Sequence, residues 1–312
     1  MTTVLDTAIA PDRAEPAARS GVSLTDLWLL LTTTIWGANY AVVKYGTDHM
    51  DALAFNGARI LMATLAFGML AVLQRRRPGA RPIARRDVLA LLALGVLGNC
   101  VYQTLFAEGV AHTKAGNAAL VLAASPALIA LIGRWLGIEH VGARAYGGVG
   151  LSMAGIALVV LGGSMHESSG ATLTGDAVVV AAAVCWAWYT VLLKPLTHRV
   201  SLVDISALTL VGGMIPLLFV SAPAFAATAW TSVSVRVWGA MTFAGIGSLV
   251  IGYLGWYRGV RVLGPTRTAI YSNLQPLIAL GVAWAMLPGE TPTAWQVAGA
   301  VAIIAGVVLT RA

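Results

Sequence analysis

The chain has 312 residues and a formal net charge of +7, a length that would suit roughly two or three soluble domains. Its composition excludes that arrangement, because hydrophobic residues make up 58% of the chain and charged residues only 11%. Soluble proteins have about 45–50% and about 25% of these residues, and so few charges could not cover the surface of a soluble globule. The composition therefore predicts an all-α protein that crosses the lipid bilayer many times.

The N-terminal segment, 1–24, carries charges and prolines without an apolar stretch, and is predicted to be a disordered cytoplasmic tail instead of a signal peptide. Ten apolar runs follow, each near the length of about 20 residues that a spanning helix needs. In chain order they cover 25–45, 53–73, 88–108, 115–135, 145–162, 176–194, 203–222, 237–257, 267–287 and 294–311. The loops between the runs are short, so no extramembrane domain is expected.

The positions of Lys and Arg predict the orientation in the membrane. With a cytoplasmic N-terminus, sixteen of these residues fall on the cytoplasmic side. Only Lys44, Lys114 and Arg236 fall on the opposite side, and the twentieth, Arg59, lies inside the second run. Both termini are therefore expected in the cytoplasm. The basic residues act as topology signals in this interpretation, and no nucleic-acid partner is predicted.

The chain repeats itself at an offset of 150 residues, which aligns Trp36 with Trp186, Pro126 with Pro276, and several glycines. Each copy holds five apolar runs, so the second copy must enter the membrane from the opposite side. The predicted fold is ten transmembrane helices arranged as two inverted five-helix repeats, which cover 25–163 and 175–311. In transporters, inverted repeats place the substrate site near the bilayer midplane and permit alternating access.

These features resemble the EamA type of the drug/metabolite transporter superfamily, in which each five-helix repeat has an early Trp and a Pro in its fourth helix. The repeat ends agree, since Gly137-Ile138-Glu139 and Pro288-Gly289-Glu290 both precede a closing helix with an Ala-Gly pair. The resemblance extends over about 25–311 and is strongest to bacterial YddG-like amino-acid exporters. It implies a multi-pass carrier of the bacterial inner (plasma) membrane that exports small metabolites. The expected substrates are amino acids above all, including aromatic or apolar ones.

Few groups inside the apolar runs could perform chemistry. The acidic residues and the five histidines fall in the tail, in loops or at span ends, and the two cysteines stand alone. No catalytic residue, metal site or cofactor is predicted, and the protein is not expected to be an enzyme. The scarcity of carboxylates at membrane depth favours downhill efflux over proton coupling. The alternative is a carrier of other neutral metabolites or drugs, with or without proton coupling.

Aromatic and amide side chains inside the runs are the predicted substrate ligands. Trp and Tyr offer an apolar body with one polar tip, and amides serve donors or acceptors, which suits a neutral or zwitterionic molecule. These ligands are Trp36, Asn39, Tyr102, Gln103, Phe106, Trp186, Tyr189, Tyr253, Trp256, Tyr271, Asn273 and Gln275. The alternatives are an aromatic belt at the lipid interface and amide contacts between helices.

Three further residues are predicted to take part in gating or bending. Arg59 either snorkels to the interface or locks a neighbouring helix, or it pairs with a substrate carboxylate or gates the outer mouth. Pro126 and Pro276 each remove a backbone donor within a span, which gives either a tolerated kink or a hinge. The residues before them, Ser125 and Gln275, are candidates to hydrogen-bond the freed groups. The sequence leaves open whether the protein is a monomer or a homodimer.

Overall fold

The computed structural model describes residues 23–76, 82–137, 143–166, 170–269 and 271–309. Within these ranges all regular structure is helical. The helical segments are α1 (Leu24–Thr47), α2 (Ala52–Arg75), α3 (Arg85–Ala111), α4 (Ala115–Trp135), α5 (Ala143–His166), α6 (Gly170–Thr197), α7 (Leu202–Ala227), α8 (Val235–Val262), α9 (Gln275–Met286) and α10 (Ala294–Leu309). The predicted tail, 1–24, lies almost entirely outside the described residues.

Six of these segments are long and apolar enough to cross a membrane, namely α2, α3, α4, α6, α7 and α8. Shorter apolar stretches of 10–17 residues lie in α5, α9 and α10. The first segment, α1, is less apolar because three consecutive threonines, Thr32 to Thr34, and Asn39 interrupt it. A multi-pass, all-helical membrane architecture is therefore confirmed, whereas the number of ten crossings stays a prediction.

The helix ends meet at two opposite ends of the bundle. We call them the proximal end, where α1 begins, and the distal end, where α1 ends. At the proximal end, Arg75 of α2 pairs with Asp204 at the start of α7, with Nε and Oδ1 3.3 Å apart. At the distal end, Lys44 of α1 donates to the carbonyl of Ala111 of α3 at 2.9 Å. Such half-exposed contacts each stabilise the fold little, but they define which helix ends lie together.

Helices α3 and α8 each contain a π-helical stretch at the same place in the repeat. The stretches cover Val96–Val101 and Phe243–Ile251. The offset of 150 aligns the first stretch with the C-terminal part of the second. A π turn leaves a backbone group outside the regular α-helical ladder, and such turns are frequent at functional sites. In α8 the carbonyl of Ser248 accepts a hydrogen bond from Trp36 Nε1 at 2.9 Å, so α1 and α8 are joined at this irregularity.

Glycines allow α3 and α7 to touch along their backbones. A Cβ atom added at Gly95 would lie 2.0 Å from the carbonyl oxygen of Thr209, and one at Gly212 would lie 2.2 Å from that of Leu92. Neither backbone oxygen can move away cheaply. Small residues at a helix interface permit this approach, which is how helices associate without a hydrophobic driving force in lipid.

Helix α4 is divided near its middle into Ala115–Leu122 and Ser125–Trp135. Pro126 lies in the first turn of the second piece, where its missing N–H is tolerated. The backbone of Ala123 and Ala124 keeps right-handed helical angles, so the interruption agrees with the expected kink, and a hinge at Pro126 stays a prediction. Ser125 Oγ donates to the Leu122 carbonyl at 2.6 Å. In a regular helix the backbone N–H of residue 126 would bond this carbonyl, but proline has no N–H. The prediction for Ser125 is confirmed.

The chain around α9 is interrupted at the equivalent place. A short helix, Pro265–Thr268, and a 3₁₀ turn, Tyr271–Leu274, precede α9, and Pro276 lies in its first turn. Ser125 bonds a carbonyl of the preceding turn, whereas Gln275 bonds another helix, since its Oε1 accepts from the Tyr40 hydroxyl at 3.2 Å. Irregular backbone at membrane depth is tolerated where it is buried in protein or lines a cavity.

Candidate functional site

The interrupted helices α4 and α9 and the π stretch of α8 border a cavity between the two halves, with a volume of about 50 Å³. Nine of the twelve predicted substrate ligands line it, namely Trp36, Asn39, Tyr102, Gln103, Phe106, Trp186, Tyr253, Trp256 and Gln275. A cavity of this size has room for a few water molecules only. The helices must therefore separate before a metabolite can enter.

One wall of the cavity is aromatic and is built from both halves of the chain. Trp36 and Trp186 meet edge to face with ring centroids 5.6 Å apart. Trp256 lies 5.2 Å from Trp36, and Tyr102 lies 5.0 Å from Trp186. Each such pair contributes about 0.5–1.5 kcal/mol beyond its buried area. The two tryptophans that the repeat aligns are thus in direct contact and share one wall.

Some polar atoms at the cavity have partners and others have none. The Trp36 indole N–H is occupied by the Ser248 carbonyl, so Trp36 offers its ring face to a ligand and not its N–H. Trp256 Nε1 and Asn39 Oδ1 are buried and have no hydrogen-bond partner within the described part of the chain. A buried polar atom left unpaired costs about 1–3 kcal/mol. These two atoms are therefore suited to bind a polar ligand.

A hydrogen-bonded network centred on Arg59 joins α2, α3 and α8. The guanidinium donates to Asn56 Oδ1 from Nε at 3.1 Å and from Nη2 at 2.9 Å, and Nη2 also donates to Gln103 Oε1 at 2.7 Å. Gln103 Nε2 donates to the Tyr253 hydroxyl at 2.9 Å, and that hydroxyl donates to Asn99 Oδ1 at 3.0 Å. Every acceptor in this network is neutral.

Arg59 lines the cavity and is only 1% exposed. Its Cζ lies 5.5 Å from the centre of the Phe106 ring, a cation–π contact. A side chain that is buried among helices does not snorkel to the interface, so that alternative is wrong. Arg258 is a second buried cation. It lies near the end of α8, donates to Thr25 Oγ1 at 3.2 Å and is absent from the cavity wall.

Three of the predicted ligands and one predicted hinge residue are not found on the cavity wall. Tyr189 packs behind Trp186, and its hydroxyl contacts the hydroxyl of Tyr257. The Tyr271 hydroxyl contacts the Asp26 carboxylate at the proximal end. The side chain of Asn273 lies outside the described residues. Pro126 lines the cavity, whereas Pro276 does not.

Sequence reasoning also missed residues that the structure brings to the site. Tyr40 lines the cavity and bonds Gln275, and its position next to Asn39 was a usable signal. Asn56 lies three residues before Arg59, a spacing at which helical side chains meet, so the pair could have been found. Ser248 and Ser272 line the cavity without any sequence signal.

A separate polar cluster lies at the distal end. Asp176 is fully buried, and its carboxylate accepts from Thr113 Oγ1 at 2.5 Å and from Asn117 Nδ2 at 3.3 Å. Gln296 Nε2 of α10 donates to Asn117 Oδ1 at 2.8 Å. Asp176 lies level with the loop residue Thr113, so it is at a span end as expected. Its full burial, however, was not predicted.

Comparison with known proteins identifies the family. The model of the EamA-like transporter family matches this chain twice, over residues 23–161 and 173–312. The chain is 26% identical over 282 residues to the uncharacterized transporter YyaM of Bacillus subtilis, covering 90% of this chain and 91% of the relative. It is 28% identical over 291 residues to a probable terminal-alkyne amino-acid exporter of Streptantibioticus cattleyicolor, with coverage of 90% and 91%.

A further relative is a probable amino-acid metabolite efflux pump of Salmonella typhimurium, 26% identical over 287 residues, with coverage of 89% and 91%. One solved crystal structure matches 94% of this chain and 97% of its own chain, with a TM-score of 0.64 at 19% identity. That similarity shows the fold alone. The two matches to one family model account for nearly the whole chain, and the relatives are transporters. The chain therefore belongs to the EamA-like transporter family, and it is a multi-pass membrane transporter of small molecules and not an enzyme.

Proposed function

We propose that the protein exports small metabolites, above all amino acids, from a bacterial cytoplasm by alternating access across the inner membrane. The observation that carries this proposal is the small cavity between the two halves, which has an aromatic wall and unpaired polar atoms. An aromatic wall suits an apolar side chain, and the polar atoms suit the charged groups of a zwitterion. Two relatives are named for amino-acid export, which supports this substrate class and this direction.

The proposal includes ten crossings in two inverted repeats, 25–163 and 175–311, with both termini in the cytoplasm. The equivalent positions of the π stretches and of the broken helices support the repeat. The basic residues support the orientation, since the distal end holds few of them and the proximal end holds many. The described ones at the proximal end are Arg75, Arg76, Arg85, Arg86, Arg134, Lys194, Arg199, Arg258, Arg261 and Arg267.

Labelling of single cysteines in whole cells tests this topology. Arg86→Cys lies at the proximal end and Ser232→Cys at the distal end, both at exposed positions. The background is a Cys100→Ser, Cys185→Ser variant, which removes both native thiols. An impermeant thiol reagent is expected to label position 232 in intact cells and position 86 only after lysis. Labelling of both positions in intact cells would overturn the inverted arrangement.

Alternating access follows from the size of the cavity and from the irregular helices around it. The cavity is too small for an amino acid, and α4 and α9 are both interrupted beside it. Discontinuous helices of this kind form the substrate sites of many transporters. We infer that α4 and α9 move relative to the aromatic wall to open the cavity to one side at a time.

A second candidate function is proton-coupled transport of other neutral metabolites or drugs. The observation that favours it is the buried Asp176 at the distal end, since carboxylates buried among the helices of transporters often carry protons. Downhill efflux requires no such group. Transport with and without an imposed pH gradient separates the two candidates.

The test is a substrate screen with the purified protein in liposomes. Labelled phenylalanine, leucine, alanine and uncharged metabolites are compared for exchange across the membrane, each with the pH gradient present and collapsed. We expect the amino acids to exchange fastest. Ser248→Phe, which fills the cavity, should stop exchange, while Val301→Phe on an exposed face of α10 should not. Exchange of uncharged metabolites alone would favour the second candidate.

A further inference from the structure

The positive charge of Arg59 is buried without a negative partner. Its hydrogen bonds go to the amide oxygens of Asn56 and Gln103, and no carboxylate pairs with it in the described part of the chain. Neutral acceptors stabilise a guanidinium only in part, because an ion removed from water needs an opposite charge to offset its lost hydration. The site is therefore electrostatically incomplete.

The fold itself does not require a cation at this position. The offset of 150 places Thr209 of α7 where Arg59 stands in α2, and Ser206 where Asn56 stands. Both hydroxyls bond within their own helix, Thr209 to the Ile205 carbonyl and Ser206 to the Leu202 carbonyl, each at 2.8 Å. The second half thus carries small, uncharged hydroxyl residues at the equivalent positions of the helix. A purely structural role does not explain why one half carries a buried charge.

The orientation of Arg59 also fits a ligand. Nε and Nη2 are held by Asn56 and Gln103, which fix the plane of the guanidinium, while Nη1 makes no hydrogen bond within the described residues. Arg59 belongs to the cavity wall together with the aromatic residues. A rigid guanidinium with one nitrogen unoccupied is suited to bind a carboxylate, the anion whose geometry it matches.

We propose that Arg59 recognises the carboxylate of the transported molecule, so that the cavity selects α-amino acids over their amides and amines. This inference rests on the proposed function and names the chemical group that the site requires. Asn39 Oδ1, the unpaired acceptor of the same cavity, then serves the ammonium group of the substrate. The indole of Trp186 and its neighbours contact the apolar side chain.

The experiment compares four competitors of labelled phenylalanine exchange in liposomes that contain the whole protein. The competitors are phenylalanine, phenylalaninamide, phenethylamine and 3-phenylpropanoate. We expect phenylalanine and 3-phenylpropanoate to compete at least about tenfold better than the two compounds that lack a carboxylate, since a lost partner leaves the charge of Arg59 unpaired. Equal competition by all four would overturn the inference and leave amino-acid transport standing. Transport of 3-phenylpropanoate without transport of any amino acid would overturn the proposed amino-acid transport. It would leave recognition of a carboxylate by Arg59 standing.

Variants then locate the effect. Arg59→Gln should weaken competition by both carboxylates at least about tenfold while phenethylamine changes little. Arg258→Gln, at a buried cation outside the cavity, should leave the preference for carboxylates unchanged. If Arg59→Gln instead weakens every competitor equally, the residue only supports the fold and the proposal fails.

Asn56→Asp keeps the inference testable if Arg59→Gln does not fold. The new carboxylate lies where Asn56 Oδ1 now accepts two bonds from Arg59, so it supplies the missing negative charge from within the protein. We expect a higher melting temperature together with weaker binding of carboxylate competitors. A higher melting temperature with unchanged carboxylate binding would contradict the inference.

Discussion

Each end of the bundle holds one of two equivalent carboxylates, and their surroundings differ. Asp26 of α1 and Asp176 of α6 are separated by the repeat offset of 150, and each meets the region of the fourth helix of the other half. Asp176 is fully buried between Thr113 and Asn117. Asp26 is partly exposed and contacts the Tyr271 hydroxyl. The repeat has preserved the position of the carboxylate and not its environment.

This difference indicates which end separates more easily. Water can replace the partner of a partly exposed carboxyl group at little cost, whereas separating a buried carboxyl group from its donors leaves polar groups without hydrogen bonds. In the described conformation the distal end is therefore held more firmly than the proximal end. Under the proposed alternating access both contacts would be released in turn, and we expect the release of Asp176 to be the harder step.

The largest effect is expected from removing the buried carboxylate. Asp176→Ala leaves the Thr113 hydroxyl and the Asn117 amide without their acceptor, which costs about 1–3 kcal/mol for each group. Asp26→Ala removes the acceptor of the Tyr271 hydroxyl and of the Ser23 amide, but it should cost less, because water can reach these groups at a partly exposed position. Thermal unfolding in detergent, followed by tryptophan fluorescence, measures both variants. Equal losses in melting temperature would refute the comparison between the two ends.

The same pair separates a structural carboxylate from a proton carrier. Asp176→Asn keeps one acceptor oxygen for Thr113 and removes the titratable group, so the fold should survive. Downhill efflux then continues in this variant, and it also continues in the native protein when the pH gradient is collapsed. Loss of gradient-driven transport in Asp176→Asn alone, with Asp26→Asn as the control, would instead support proton coupling through Asp176.

The sequence predicted the helices and the aromatic wall because both depend on local features. The apolar run 115–135 coincides with α4, Ala115–Trp135, and a tryptophan inside a span needs either an interface or a cavity. The position of Tyr271 could not be predicted. In an α-helix it would share a face with Gln275, but the 3₁₀ turn Tyr271–Leu274 advances by about 120° per residue and directs it to Asp26.

The burial of Asp176 was equally beyond the sequence. Its partners, Thr113 and Asn117, lie 63 and 59 residues away along the chain, and Gln296 completes the cluster from α10. A carboxylate near the end of a span looks exposed unless the segments that pack against it are known. Long-range polar pairing is set by tertiary contacts, which neither hydropathy nor spacing encodes.

A smaller effect is expected when the two equivalent tryptophans are compared. Trp36→Phe removes the donor to the Ser248 carbonyl at the π turn, which should cost about 1 kcal/mol in stability. Trp186 makes no such bond within the described residues, so Trp186→Phe should change stability less. Both changes should reduce transport of tryptophan more than that of alanine, because the aromatic wall loses area. Melting temperature and exchange of both amino acids are measured on the same preparations, and an equal loss for both substrates would assign the pair to packing alone.

The smallest expected effect concerns pH at the distal end. Glu290, in the loop before α10, accepts a hydrogen bond from the Ala115 amide at 2.7 Å, and burial raises the pKa of its carboxyl group above the ordinary value of 4.5. Its counterpart in the first half, Glu139, lies outside the described residues. A carboxyl group whose pKa is higher in the folded state stabilises the fold most below the unfolded pKa. That contribution is lost as pH rises through the folded value.

The melting temperature of the native protein should therefore fall above about pH 4.5 relative to that of Glu290→Gln, which keeps an acceptor for Ala115 and cannot ionise. Asp48→Asn, at a more exposed carboxylate of the same end, is the matched control and should follow the native curve. If the Glu290→Gln curve runs parallel to the native curve from pH 4 to 7, ionisation of Glu290 does not weaken the distal end, and the contrast with the proximal end rests on Asp176 alone.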